Sequence, residues 1–466
     1  MPPRRIVPKR IPMAEQAPEV RIHNYDEVPL GFTAEQAIAE AARCLQDARP
    51  SCMAGCPVNI NIPGFLHLVE IGDFRGAINL IKETNALPAI TGRVCPQESQ
   101  CEGLCVLCKK YEPVSIGQLE RFAADWEAEQ GELPVPDLPP ATGKKVAVVG
   151  SGPAGLTAAA DLARLGHAVT IFEALHEAGG VLIYGIPEFR LPKAIVKREV
   201  EYVCSLGVQI QKDFLVGSSA TVDELLEEYD AVFLGTGAGL PWFLGIPGEN
   251  LGGVYSANEY LTRANLMKAY RFPEYDTPIA RGRRVITIGA GNTAMDSART
   301  ALRIGAEDSI VVYRRSRAEM PARAEEIHHA EQEGVQFHLL TTPLAFYGEN
   351  GRLTELECLQ NELGEPDSSG RRRPIPIPGS NFRIPCDVAI VAVGQSPSPI
   401  IAKTTADLAT AKSGVVVVDK ETMKTSKKGV FAAGDVITGG ATVILAMGQA
   451  KIAAKAIHAY LQSGNW

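Results

Sequence analysis

Seven of the ten cysteines fall between Cys44 and Cys108. They are spaced Cys44-x7-Cys52-x3-Cys56-Pro57, then Cys95-Pro96-x4-Cys101-x3-Cys105-x2-Cys108. Thiolates are soft ligands, and a crowd of them in a reducing compartment reads as metal ligation or redox chemistry before disulfide pairing. A structural zinc site favours paired CxxC knuckles, and only Cys105 and Cys108 have that form. Cysteine followed by proline, seen twice, is typical of iron–sulfur loops. That chemistry moves single electrons. Cys204, Cys358 and Cys386 are scattered in apolar or strand-like contexts and read as small buried side chains.

Two glycine-rich fingerprints follow. In the first, Gly150, Gly152 and Gly155 (GSGPAG) come straight after the apolar run 144–149 and open a helix through Pro153 and Ala154. Such glycines permit a tight turn, close approach of backbone to a pyrophosphate, and helix–strand packing. Glu173, 23 positions past Gly150, stands where an acidic side chain holds ribose hydroxyls. The second fingerprint is Gly289, Gly291, Asn292, Thr293 and Ala294, with alanine for the third glycine. Its second strand ends in Tyr313-Arg314-Arg315, where an acidic ribose binder would otherwise stand. Guanidinium groups there suit a 2′-phosphate, so this site should prefer NADP(H). The contrast assigns FAD to the first site and NADPH to the second. Gly434-Asp435 ends a strand-like run, Val430–Val436, and Asp435 suits a bond to the ribityl chain of FAD. The helix beyond, with Thr442 at its start, would aim its positive end at the flavin ring. Gly180, Arg190 and Lys193, in and after the glycine pair at 179–180, complete the candidate flavin surroundings.

These groups need elements to position them. Residues 33–130 read as helical, with Thr33 as an N-cap before Ala34–Cys44 and further amphipathic candidates at Ile62–Glu70 and Asp73–Glu83. A Pro-rich linker, Leu133–Pro140, separates this region from an alternating pattern: strand 145–149, helix 153–165 and strand 168–173. A second unit of the same form follows, with strand 283–288, helix 292–304 and strand 309–313. Further strands are expected at 386–393 and 415–418, and a closing helix within 440–461. The fold class is therefore α/β, an N-terminal helical domain followed by two doubly wound, Rossmann-like domains.

Composition narrows the function classes. The 466 residues allow about three domains at the usual size. A net charge of −8 argues against nucleic-acid and anionic-membrane partners. No apolar run approaches the ~18 residues of a membrane span. The basic, proline-studded start, MPPRRIVPKRIP, lacks the apolar core of a secretory signal, which points to a cytoplasmic protein.

Taken together, GSGPAG with Glu173, GGVLIYGIPEFRLPK at 179–193, GAGNTAMD at 289–296 and FAAGD at 431–435 resemble the NADPH-oxidising small subunit of glutamate synthase. Related families are the large subunit of NADH-dependent ferredoxin:NADP oxidoreductase and the N-terminal part of dihydropyrimidine dehydrogenase. The resemblance runs from about Arg21 to Tyr460. It implies an NADPH domain inserted into a split FAD domain: residues 1–140 for the iron–sulfur domain, 141–270 and 384–466 for FAD, and 271–383 for NADPH. It also implies two [4Fe-4S] clusters with interleaved ligands: Cys44, position 47, Cys52 and Cys105 on the first, and Cys56, Cys95, Cys101 and Glu120 on the second. The expected role is electron input to a large subunit that carries glutaminase, FMN and the 2-oxoglutarate site, in a hetero-oligomer. A ferredoxin:NADP oxidoreductase, an electron-bifurcating subunit, or a chain serving another redox protein stands as the rival, with a redox sensor or scaffold of vestigial nucleotide sites as a third reading.

The chain departs from that pattern at one ligand, with Asp47 where the family has cysteine. Three arrangements compete. Asp47 ligates through oxygen, a harder donor toward iron than thiolate; or Cys108 substitutes; or the first cluster is incomplete. Its place in the sequence favours Asp47.

Overall fold

Thr33 starts the first long helix by a reciprocal cap: its Oγ1 accepts from Gln36 N at 3.3 Å, and Gln36 Oε1 accepts from Thr33 N at 2.9 Å. The helices Ala34–Ala41, Ile62–Glu70, Phe74–Lys82, Pro88–Val94 and Ile116–Glu129 bury Phe65, Leu66, Val69, Ile78, Ile81 and Leu119 in one core. Asp73 lies outside its helix and caps it, accepting from Gly76 N at 2.8 Å. The region is less helical than its alanine content implies. From Cys95 to Ser115 there are only turns and two short 3-10 segments, because Pro96, Gly103 and Pro113 interrupt any longer helix. The four cysteines of this stretch occupy these interruptions, with Cys95 capping the end of Pro88–Val94 and Cys105 preceding a 3-10 turn. In this computed structural model the described residues are 6–131, 133 and 135–466. The first residues of the basic arm and two positions around the Pro-rich linker lie outside them.

The first sheet is wholly parallel, in the order Val430–Ala432, Ala231–Leu234, Lys145–Val149, Ala168–Phe172, Gln209–Gln211. Val149 pairs with both Phe172 and Leu234, so the strands end level at the Gly150 turn. The second sheet is also parallel, in the order Val254–Ser256, Val388–Val391, Arg284–Ile288, Asp308–Val312, Gln336–His338. Its membership moves the expected boundaries. The fully buried Val388–Val391, assigned above to the flavin segments, pairs with the second fingerprint strand instead, and Val254–Ser256, assigned there too, pairs with Val388–Val391. An antiparallel excursion, Thr341–Glu349, Arg352–Pro366, Arg372–Pro376 and Phe382–Pro385, rises between its last two strands in sequence. Val415–Val418 is not a strand of either sheet; it makes only isolated bridges, from Val416 to Thr410 and from Val418 to Thr425.

The closing helix, Val443–Ser463, is capped by Thr442, whose Oγ1 accepts from Leu445 N at 3.4 Å. It lies along the first fingerprint helix and reaches the cysteine-rich domain, where a Cβ on Gly448 would come within 2.8 Å of Pro57 O. The flavin-side helix thus rests on the residue after Cys56.

Candidate functional site

The first fingerprint separates glycines the fold needs from one it does not. Gly150 has φ +96°, and a Cβ there would meet Gly235 O at 2.6 Å; on Gly155 it would meet Gly150 O at 1.9 Å. A Cβ on Gly152 would meet nothing within 4 Å. The open space in front of Gly152, at the N-terminus of helix Pro153–Arg164, has the form that suits a pyrophosphate. Glu173 is buried and clasps the loop, accepting from Ser151 N and Leu175 N at 2.9 Å each and from Ser151 Oγ. Ser151 Oγ in turn accepts from Gly179 N at 2.9 Å and ties in Gly180. A carboxylate has about four acceptor positions, which leaves Glu173 room for a ribose hydroxyl. Ser151 escaped the sequence reading because the motif names only its glycine neighbours.

Asp435 stands across the same site. Its Oδ1 accepts from Ala441 N at 3.0 Å, and burial pushes its carboxyl up to about 6. A half-buried acceptor held by Ala441 N fits a ribityl hydroxyl. The sign of its linkage follows from the raised value. The group favours the folded apoprotein fully below the unfolded value of about 3.9, and that contribution is lost as pH rises through about 6. Asp435→Asn keeps the acceptor for Ala441. It is expected to leave apoprotein melting unchanged near pH 4, to stabilise it near pH 8 by about 1–3 kcal/mol, and to weaken FAD retention; thermal melts at both pH values check this.

The second fingerprint repeats the logic. A Cβ on Gly289 would meet Ala392 O at 2.3 Å, while Gly291 faces open space at the start of helix Asn292–Ile304. Asn292 Oδ1 accepts from Arg323 N at 2.9 Å. Ala294, the substitute for the third glycine, is fully buried without strain on the helix. The two arginines at 314–315 separate. Arg314 is exposed at the strand end. Arg315 is buried, its Nε donating to Arg372 O at 2.7 Å and its Nη2 to Asp367 at 2.5 Å, so it anchors the antiparallel excursion. The expectation that both grip a 2′-phosphate is thus reduced to Arg314. Arg314→Ser is expected to lower kcat/KM for NADPH about 10–100-fold, the cost of one charge-assisted bond, with NADH little changed; steady-state kinetics with both nucleotides checks it.

Arg190 and Lys193 are buried, but neither faces an open flavin cradle. Arg190 Nη1 is bidentate to Asp296 at 2.7 and 2.9 Å and its Nε lies 2.7 Å from Glu326, so it joins the flavin segment to helices Asn292–Ile304 and Ala324–Gln332. Burial alone would raise the Glu326 carboxyl, yet the guanidinium groups of Arg190 and Arg299 hold it down at about 2. Lys193 Nζ donates to the carbonyl oxygens of Leu182, Ile186 and Leu191, and burial pushes its ammonium down to about 7. These are structural posts of the 179–193 loop.

The cysteines gather into two sets. Cys44, Asp47, Cys52 and Cys105 line one pocket with apolar walls from Ile62, Leu66 and Leu107. Burial, with the nearby Cys44 and Cys105 thiols, pushes Cys52 up to about 11. Cys108 is exposed and does not line that cavity. In the second set, burial raises Cys56, Cys95 and Cys101, and the Glu120 carboxylate adds to the effect on each. Glu120 is itself buried, accepts from Asn85 Nδ2 at 2.8 Å, and is pushed by burial up to about 7. Three buried or half-buried thiols and a buried carboxylate fit a group that takes up their charge on binding. A single zinc ion needs its ligand atoms within ~4 Å of one another. Among the described residues, the group of three that closes to within 4.8 Å is Glu15, Glu325 and His329, which contains no thiol.

Residues 21–132 match the family described as dihydropyrimidine dehydrogenase domain II, 4Fe-4S cluster, and residues 144–450 match pyridine nucleotide-disulphide oxidoreductase. The fold recurs in FprA of Mycobacterium tuberculosis in complex with NADPH, at TM-score 0.58 and 21% identity, over 69% of this chain and 85% of that one. It recurs in thioredoxin reductase of T. acidophilum at TM-score 0.51 and 20% identity, over 69% of this chain and all of that one. Fold and sites together define an NADPH-dependent flavin oxidoreductase with an iron–sulfur domain. The chain is 36% identical to the glutamate synthase [NADPH] small chain of Escherichia coli, over 97% of its own length and 98% of that protein. It belongs to that family. It is also 40% identical to the NADP(+)-dependent formate dehydrogenase subunit beta of Moorella thermoacetica, of which it spans 60%. Among the described residues no helix is long and apolar enough to cross a membrane.

Proposed function

We propose that the chain is the electron-input subunit of a larger oxidoreductase, a glutamate synthase in the first instance, feeding a large subunit that forms L-glutamate from glutamine and 2-oxoglutarate. The observation that carries this is the split of the cysteines into two sets, one of them docked on the flavin side through Pro57 and Gly448. The ligand sets are Cys44, Asp47, Cys52 and Cys105 for the first [4Fe-4S] cluster, and Cys56, Cys95, Cys101 and Glu120 for the second. Bound in these sites, NADPH and FAD would supply hydride-transfer chemistry and the clusters single-electron chemistry. The chain supplies position. Gly152 and Gly291 admit the pyrophosphates, Glu173 and Asp435 receive hydroxyls, Arg314 meets the 2′-phosphate, and the dipole of helix Val443–Ser463 faces the flavin ring. Asp47, exposed at the outer cavity, puts the first cluster nearer the surface and a partner.

Anaerobic purification is expected to yield about eight irons and eight sulfides per chain, four for each cluster. The isolated chain should reduce dyes with NADPH and form no glutamate from glutamine and 2-oxoglutarate until a large subunit is added. Glutamate made unaided, or about four irons, would overturn the reading. Asp47→Cys should change the EPR spectrum of the first cluster alone; unchanged spectra would remove Asp47 from the ligand set. A second reading, a beta subunit delivering electrons to a different redox partner, is supported by the 40% identity to the formate dehydrogenase subunit. Reconstitution with each candidate partner separates the two.

A further inference from the structure

Arg323 stands where the NADPH-binding unit meets the second cysteine set. Its backbone belongs to the nucleotide loop: Arg323 N donates to Asn292 Oδ1 at 2.9 Å, and Ala322 N donates to Ala290 O at 3.2 Å. Its side chain leaves that unit. Nη1 donates to Arg93 O at 2.9 Å and Nη2 to Gln97 Oε1 at 3.1 Å, two residues that flank Cys95 on either side. Gln97 is wedged in place, since a Cβ on Gly117 would come within 2.2 Å of its Nε2, and Gly117 opens the helix that carries Glu120. Ala324 N adds a clasp, donating to Glu98 Oε1 at 3.1 Å. The guanidinium is only 7% exposed, and its charge acts on the buried Cys95 thiol. Glu325, at 2.7 Å, and Glu98, at 3.8 Å, face it from more exposed positions.

We propose that Arg323 is a positioning residue that couples the two sites. Anchored on the nucleotide loop at one end and on the Cys95 loop at the other, it makes the second cluster easier to reduce and lets NADP⁺ binding alter that ease. The physical basis is simple. A reduced cluster carries one more negative charge than an oxidised one, and a cation held close by in a poorly screened site favours the reduced form. Because Asn292 and Ala290 fix the segment that carries Arg323, a nucleotide seated on that loop changes how firmly the cation is held. Linkage then requires the converse: reducing the cluster changes NADP⁺ affinity by the same factor. The inference rests on the assignment of Cys56, Cys95, Cys101 and Glu120 to one cluster.

The test is a redox titration of the anaerobic full chain, followed by EPR, with and without NADP⁺, for wild type, Arg323→Lys and Arg323→Gln. Iron counts and melting temperatures are measured alongside. At a potential where half of the wild-type second cluster is reduced, Arg323→Gln is expected to lower the reduced-to-oxidised ratio about 5–50-fold, the scale of one nearby charge at intermediate dielectric. Arg323→Lys, which keeps the charge, should recover most of it. Saturating NADP⁺ should shift the wild-type ratio and leave that of Arg323→Gln unmoved. A glutamine variant that titrates with wild type overturns the proposal. If that variant loses iron, the wild-type chain decides: a ratio indifferent to NADP⁺ overturns the coupling. Failure of the ligand assignment looks different, as a wild-type chain with no second EPR signal at all, and it removes the inference with it.

Discussion

Gly152→Val is expected to empty the flavin site while leaving the chain folded. The reason is the space that the structure keeps in front of this residue, where a Cβ would touch no protein atom within 4 Å. Its φ of −68° is also open to any side chain. Nothing in the apoprotein opposes a larger residue, so its melting temperature should stay near that of wild-type apoprotein. The ligand does oppose it. Valine methyl groups at the helix N-terminus would occupy the volume the pyrophosphate needs and screen the N–H donors that bind it. A loss of at least about a hundredfold in FAD affinity, near 3 kcal/mol, is expected. Flavin absorbance after reconstitution with excess FAD measures it. Gly155→Val is the contrast, because a Cβ there would meet Gly150 O at 1.9 Å and force the first strand and helix apart. That variant should misfold whether or not FAD is present. If Gly152→Val retained flavin, the cradle would be misplaced.

The glycine pair also shows what a sequence can carry. Turns that demand positive φ or backbone contact restrict residue type at single positions, so Gly150, Gly155 and Gly289 announce themselves together with the apolar strands before them. The same holds for Thr33 and Thr442, whose caps are local. Cysteine spacing carried the division into two sets less directly. The resemblance supplied the sets, and the structure brings Asp47, not Cys108, into the wall of the first cavity. What stayed hidden depends on distant partners. Arg190 and Arg315 lie in motifs that point to ligands, yet their guanidinium groups are taken by Asp296 and Glu326 in one case and by Asp367 in the other. No local pattern tells an arginine that meets phosphate from one that meets a carboxylate 106 residues away. Sheet membership fails for the same reason. Val254–Ser256 is three residues long, and only its pairing with Val388–Val391 assigns it to the nucleotide sheet.

Cys95→Ser is expected to divide the electron path in two. Cys95 is 6% exposed at the end of helix Pro88–Val94, within the set that includes Cys56, Cys101 and Glu120. Serine oxygen is a harder donor and holds its proton far more tightly than a thiol, so it is a poor replacement toward iron. Iron content should fall by about four atoms per chain and the second EPR signal should vanish. The loss should have a structural cost too, because a cluster held by this set would staple the segment at Cys56 to that at 95–120, and metal-binding free energy is folding free energy in such a domain. Neither sheet depends on it. NADPH should therefore still reduce a dye that takes electrons directly at the flavin, within about threefold of wild type, whereas transfer to the reconstituted partner should fall by a hundredfold or more, about 3 kcal/mol in barrier terms. The position of Pro57 against Gly448 bears on this asymmetry, since it seats the residue after Cys56, a member of the second set, on the flavin-side helix. Equal loss of both activities would show that the cysteine-rich domain sustains the flavin site itself. Retention of both would show that electrons leave the flavin by another face of the molecule.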